Sequence, residues 1–160
     1  MCDEAQRSTL ILLTNYELVP WNRALLWRKI MNDLTWHCEL VFRNDEECAC
    51  VADCFTTHVM NHVYHDHNGN AYTDQRRVRT YVLSQFLRNY VEETTDAGNE
   101  HGYYSPMTVE IICGALQEID FREIAETMIG DYSPKSPAEV ADNEEYFNIM
   151  GFGNYDIDED

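Results

Sequence analysis

Apolar side chains recur along this chain mostly at three- and four-residue intervals, the period that lays a stripe along one side of a helix. The clearest stretch is Asp74 to Glu93, where Leu83, Phe86, Leu87, Tyr90 and Val91 fall at i, i+3, i+4, i+7 and i+8. A helix is also expected from about Asp45 to Tyr64, broken by the turn-rich His65 to Asn70 with its Asn68-Gly69-Asn70. After Pro20, the spacing of Trp27, Ile30, Met31 and Leu34 predicts another. Two segments behave differently. Thr9 to Thr14 is a short apolar run that suits either a buried strand or the lead-in to a helix. Trp36, Cys38, Leu40 and Phe42 alternate with His37, Glu39 and Val41, a weak strand pattern, so the two segments could form a small two-stranded β element near the N-terminus.

Further along, the start and stop signals are sharper. Ser105 is placed as an N-cap with Pro106 at the first helical position, where a missing N–H costs nothing. The stripe behind it is Val109, Ile112, Cys113 and Leu116. Asp120 and Glu123 form an Asp-x-x-Glu variant of the capping box ahead of Phe121, Ile124, Ala125, Met128 and Ile129. Gly130 stands where a C-terminal cap belongs, and the two helices must turn sharply near Ile119. Beyond Pro134 and Pro137 a short helix is expected over Ala138 to Met150. The pattern predicts a mainly α, single-domain bundle of about five helices over residues 1–150, with an acidic tail, 151–160, expected to be mobile when free.

A chain of 160 residues, 44% hydrophobic and 12% aromatic, can bury a core without staples. Its charge is unevenly placed. Residues 1–91 carry 11 acids against 9 bases, whereas residues 92–160 carry 18 acids against only Arg122 and Lys135. Acidity kept for solubility alone, or the evenly spread acidity of a halophile, does not require such polarisation. A field of this sign attracts basic surfaces and repels nucleic acid, so the expected partner is a basic protein, with no direct nucleic-acid binding. No run of 18 apolar residues occurs, and Met1-Cys2-Asp3-Glu4 is acidic where a signal peptide would be basic. The expectation is a soluble, cytoplasmic protein without a membrane partner.

The acids of the C-terminal part make the candidate partner-binding surface. Asp120, Glu123 and Glu126 recur every three residues, on the side of their helix away from the apolar stripe, and Glu110 and Glu118 come from the helix before it. Glu139, Asp142, Glu144 and Glu145 follow, then Asp156, Asp158, Glu159 and Asp160 in the tail. Duplex DNA carries about one negative charge per 1.7 Å of axis. A single ridge with an acid every three residues, about 4.5 Å, is sparser than that, and two or three adjacent ridges would approach it.

A second candidate is the cluster of Cys48, Cys50, Cys54, His58, His62, His65 and His67. On a helix, Cys54, His58 and His62 follow one another at i+4 spacing, and zinc accepts mixed cysteine and histidine ligands. A structural zinc held by Cys54, His58, His62 and Cys38 or His65 is one reading, and small buried thiols beside ordinary histidines are the other. No Gly-rich phosphate loop, Gly-x-Ser-x-Gly elbow or His-Glu-x-x-His helix occurs, so a non-enzymatic role with no cofactor beyond that zinc is expected.

The stretches Leu12-Leu13-Thr14-Asn15-Tyr16-Glu17-Leu18 and Ala115 to Glu126 resemble segments of small acidic proteins of phages and mobile elements, antirestriction- and anti-CRISPR-like, over about a fifth of the chain. The resemblance implies a viral or plasmid setting in which an acidic DNA mimic occupies the basic groove of a host restriction or CRISPR enzyme. It transfers no individual functional residue. The alternative function is a zinc-stabilised acidic adaptor that binds a basic protein without displacing nucleic acid.

Overall fold

The computed structural model describes residues 33–151, and among them six helices and no strand. The first, α1, is helical over 33–44. The alternation at Trp36 to Phe42 does not make a strand. Thr35, Cys38 and Phe42, spaced i, i+3 and i+7, turn inward while Trp36 and Val41 stay exposed, so the helical period prevails over a chance alternation. Thr9 to Thr14 and the start of the Trp27 to Leu34 stripe lie outside the described residues.

Helix α2, Glu46–Asn61, begins at Asp45, whose carboxylate accepts the Cys48 N–H at 3.0 Å. It stops before the expected Tyr64, because the backbone turns extended at His62. Tyr64 is instead tied to the loop's far end: Gln75 Nε2 donates to its carbonyl at 2.7 Å, and its own N–H donates to Gln75 Oε1. Within the loop, Asp66 accepts the N–H groups of Asn68 and Asn70, and Gly69 takes the positive φ of +81° that the turn requires. Helix α3, Gln75–Thr94, is capped by Asp74 and buries Leu83, Phe86, Leu87 and Tyr90, as its period predicts.

Helix α4, Pro106–Glu118, and helix α5, Phe121–Asp131, meet at the Ile119–Asp120 corner, each with its predicted cap: Ser105 accepts from Thr108 N–H, Asp120 from Glu123 N–H. Gly130 is not a C-terminal cap. It lies inside α5, which runs one residue further and ends where Tyr132 becomes extended two positions before Pro134. Helix α6, Pro137–Ile149, is opened by a complete capping box in which Ser136 and Glu139 exchange hydrogen bonds.

Helix α3 packs along α5 and α2, and α2 packs along α6. One buried cluster takes a residue from each of the six helices, from Phe42 on α1 to Phe147 on α6. At its centre Phe55 meets Phe86 at 5.3 Å, Phe147 at 5.9 Å and Tyr90 at 6.3 Å between ring centroids, tilted or edge-on as aromatic quadrupoles prefer. Helices α4, α5 and α6, of 13, 11 and 13 residues, are short enough to be marginal alone, so they depend on this shared core. No helix among the described residues is long and apolar enough to cross a membrane.

Candidate functional site: the acidic helix faces

The amphipathic period of α5 sets the first group of acids. Phe121, Ile124, Ala125 and Ile129 are buried against α3, which leaves Asp120, Glu123 and Glu126 on the solvent side. Asp120 spends one carboxylate oxygen on its cap, at 3.0 Å from Glu123 N, and Glu126 pairs with Arg122 at 3.2 Å. Glu110 and Glu118 are exposed on α4. The corner is not purely anionic, because Arg88 and Arg122 line the same groove as Glu118 and Asp120.

The second group sits on α6. Glu139, Asp142 and Glu145 share its outward ridge, at the three-residue spacing of the α5 group. Glu139 is held by its capping box, where the Ser136 side chain and then its backbone N–H keep the carboxyl below the usual range. Glu144 faces inward instead and belongs to the seam with α2. Glu46 and Glu47, in the first turn of α2, add acids beside this group that the C-terminal charge count does not include; Glu47 lies close enough to contribute, after burial and the neighbouring Cys50 and Cys54, to keeping the Tyr146 phenol protonated. Because α5 packs on α3 and α6 on α2, the two ridges are not laid side by side. The tail acids Asp156, Asp158, Glu159 and Asp160 lie outside the described residues.

Both cations of the C-terminal part are engaged, Arg122 with Glu126 and Lys135 with Asp53. Among the described residues no ion pair joins Glu110, Glu118, Glu123, Asp142 or Glu145 to a cation. Within the described residues these five carboxylates have no pair to break before meeting an incoming basic surface. Among the described residues the local excess of cations is Arg76, Arg77 and Arg79 at the start of α3, where Arg79 donates to the His62 carbonyl that closes α2.

The cysteine and histidine candidates divide between two places. Cys54 and His58 lie on α2 and face α6, and His62 follows at the C-terminal cap. His58 Nδ1 lies 2.9 Å from both carboxylate oxygens of Glu144, and its ring stacks on Phe147 with centroids 3.9 Å apart and planes 9° from parallel. The His62 ring stacks on that of His58 at 5.7 Å; burial, then the neighbouring His58, lowers its pKa. Cys54 donates to Asn143 Oδ1 at 3.6 Å, and burial pushes its thiol up to about 11. Asn143 also donates to Thr57 Oγ1 at 3.0 Å. Cys38, on α1, is near Cys48 rather than Cys54, and burial raises its thiol to about 11 as well. His65 sits in the loop, bridged to Ala71. Cys54 and His58 are thus engaged in holding α6 against α2, His62 stacks on His58, and among the described residues no group of three or more His, Cys, Asp or Glu side chains is disposed to hold a metal ion.

No protein-family model, curated protein or solved structure matches the chain.

Proposed function

We propose that this protein is a phage- or mobile-element-encoded, non-enzymatic inhibitor that acts in the host cytoplasm. Its acidic helix faces occupy the basic nucleic-acid-binding groove of a host defence enzyme, of the restriction or CRISPR class. The observation that carries the reading is the α5 corner with its α4 neighbours, where exposed carboxylates stand on packed helices and the local cations are few and already engaged. Like charges at helical neighbour spacing cost a few tenths of a kcal/mol per pair. A bundle that keeps them on a rigid face presents a preorganised anion array, which lowers the ordering cost of binding.

The separation of the α5 and α6 ridges favours a groove that takes one ridge deeply over a flat surface that would need both. The experiment is competition. Purified restriction and CRISPR effector complexes are loaded with a fluorescent DNA duplex, and anisotropy follows its release as the protein is added. Release that weakens with salt, and weakens further in the E118Q/D120N/E123Q/E126Q variant, is expected. Binding to the effectors with the duplex retained would leave the adaptor alternative, and tight binding of the protein to the duplex itself would overturn both.

A further inference from the structure

The arginines at the start of α3 play no part in the acidic reading, and they are not held as the other described arginines are. Arg43, Arg88 and Arg122 are each ion-paired to a carboxylate. Arg79 is engaged with the His62 carbonyl. Arg76 and Arg77 have no ion pair among the described residues, in a chain with 29 acids against 11 lysines and arginines. Of these two, Arg77 lines a cavity of about 540 Å³ between the start of α3 and the first turn of α5.

Helical spacing assembles this cavity. Tyr81 follows Arg77 by four residues and Val78 by three, so the three share one side of α3. Tyr72 joins them from the loop that leads into the helix, and Arg122 from α5, which packs along α3. Val78 is seated on the buried core and gives the cavity an apolar base, whereas Tyr81 is 43% exposed. Arg122 gives its Nε to Glu126 at 3.2 Å, which leaves its two terminal nitrogens for a ligand. Asp74, at the rim, spends one carboxylate oxygen on the Arg77 N–H at 3.0 Å and keeps the other.

We infer that this cavity binds a mononucleotide, its base against the tyrosine rings and its phosphate on Arg77 and Arg122. The donor set selects that chemistry. Guanidinium groups match phosphate oxygens as planar forks, and nucleobases stack on tyrosine whatever their sequence. A ribose between them brings hydroxyls that the second Asp74 oxygen and the Thr73 hydroxyl can meet, which a plain aromatic anion does not. The volume falls in the range of small-molecule sites. A nucleic-acid strand suits the place less well. Two guanidiniums serve one phosphate, and the next phosphates along would meet Asp120, Glu123 and Glu126 on the helix that carries Arg122, in the field of a chain with net charge −18.

Nucleotide binding here is independent of whether the acidic ridges inhibit anything. The test titrates the full chain with AMP by calorimetry, alongside adenosine, inorganic phosphate and a single-stranded DNA oligonucleotide. AMP is expected to bind, and adenosine and phosphate each about tenfold or more weakly. Arg77→Gln should weaken AMP about tenfold or more and Tyr81→Ala about fivefold or more. Both side chains are exposed, so circular dichroism should be unchanged. Arg122→Gln, on the other helix, gives an independent loss should Tyr81→Ala disturb α3. Arg76→Gln removes the same charge beside the cavity and should leave AMP affinity within about twofold. No binding of AMP at millimolar concentration would overturn the proposal. So would phosphate binding as tightly as AMP, the oligonucleotide binding more tightly than AMP, or equal losses in the Arg76 and Arg77 variants, which would mean general attraction to a cationic patch.

Discussion

Helices α4 and α5 share a corner, similar lengths and equally good caps, yet they are used in opposite ways. Helix α5 hides Phe121, Ile124, Ala125 and Ile129 against α3 and turns its carboxylates outward. Helix α4, the more apolar of the two, hides Leu116 alone and leaves Met107 and Ile111 in the open. An apolar stripe states that a helix has something to bury, but the partner decides whether it is buried. Where α3 is available the stripe becomes core, and where the described body covers a helix only in part, as at Leu116 and Ile112 of α4, the remainder is surface.

The comparison can be broken most forcefully at Ile124, which is fully buried. Ile124→Ala should cost about 2–5 kcal/mol in urea unfolding, since the cavity lies where α5 meets α3. A loss below about 1 kcal/mol would mean that α5 is no better seated than α4. Next in size is Asn143→Ala, which removes the donor to the buried Thr57 hydroxyl and the acceptor for the Cys54 thiol. A loss of about 1–3 kcal/mol is expected.

The caps sharpen the contrast further. Asp120→Ala should lower global stability by about 1 kcal/mol, because α5 cannot fray without exposing core. Ser105→Ala removes an equivalent bond, at 3.2 Å to Thr108 N, but should show mainly as faster amide exchange in the first turn of α4. Equal global losses from both would remove the distinction. A smaller effect concerns pH. Glu139 has its folded pKa held below the ordinary 4.5 by Ser136, so its contribution is complete above that value and is lost as pH falls through the lower folded one. The stability difference between the parent and Glu139→Ala should therefore be present at pH 7 and shrink towards pH 3. The smallest expected effect is none: treatment with a zinc chelator should leave the melting transition in place, because His58 and Cys54 already have protein partners. A chelator-induced drop would restore the metal reading.

Much of the architecture was legible because local rules and the global fold agree. The stripe of α3 and the caps at Ser105 and Asp120 stand where period and capping chemistry place them. Residues 36–42 misled because four alternating apolar positions are too few to separate a strand from a helix, and only the inward seat of Cys38 and Phe42 decides it. Gly130 misled because a glycine near a helix end is a cap only if the backbone turns left-handed there, and here the break waits for Tyr132 and Pro134. The Ser136-Pro137-Ala138-Glu139 capping box was in plain view and gives α6 its start, which the acid count alone passed over. For the candidate site, helical spacing anticipates the exposed α5 ridge. It could not show that Glu144 turns inward, since that depends on His58 and Phe147 lying opposite it.

The stacking of His58 on Phe147 also bears on the order in which the molecule comes together. Helix α6 is fastened to α2 by residues as far apart in the chain as Thr57 and Asn143, eighty-six positions, whereas the α3–α5 seam joins nearer neighbours. Closing the longer loop carries more entropy, so this seam should form late. During synthesis Phe55 and Phe86 are made well before Phe147 can reach them. For that interval the growing chain exposes an aromatic floor with nothing upon it, the kind of apolar surface through which incompletely folded chains associate.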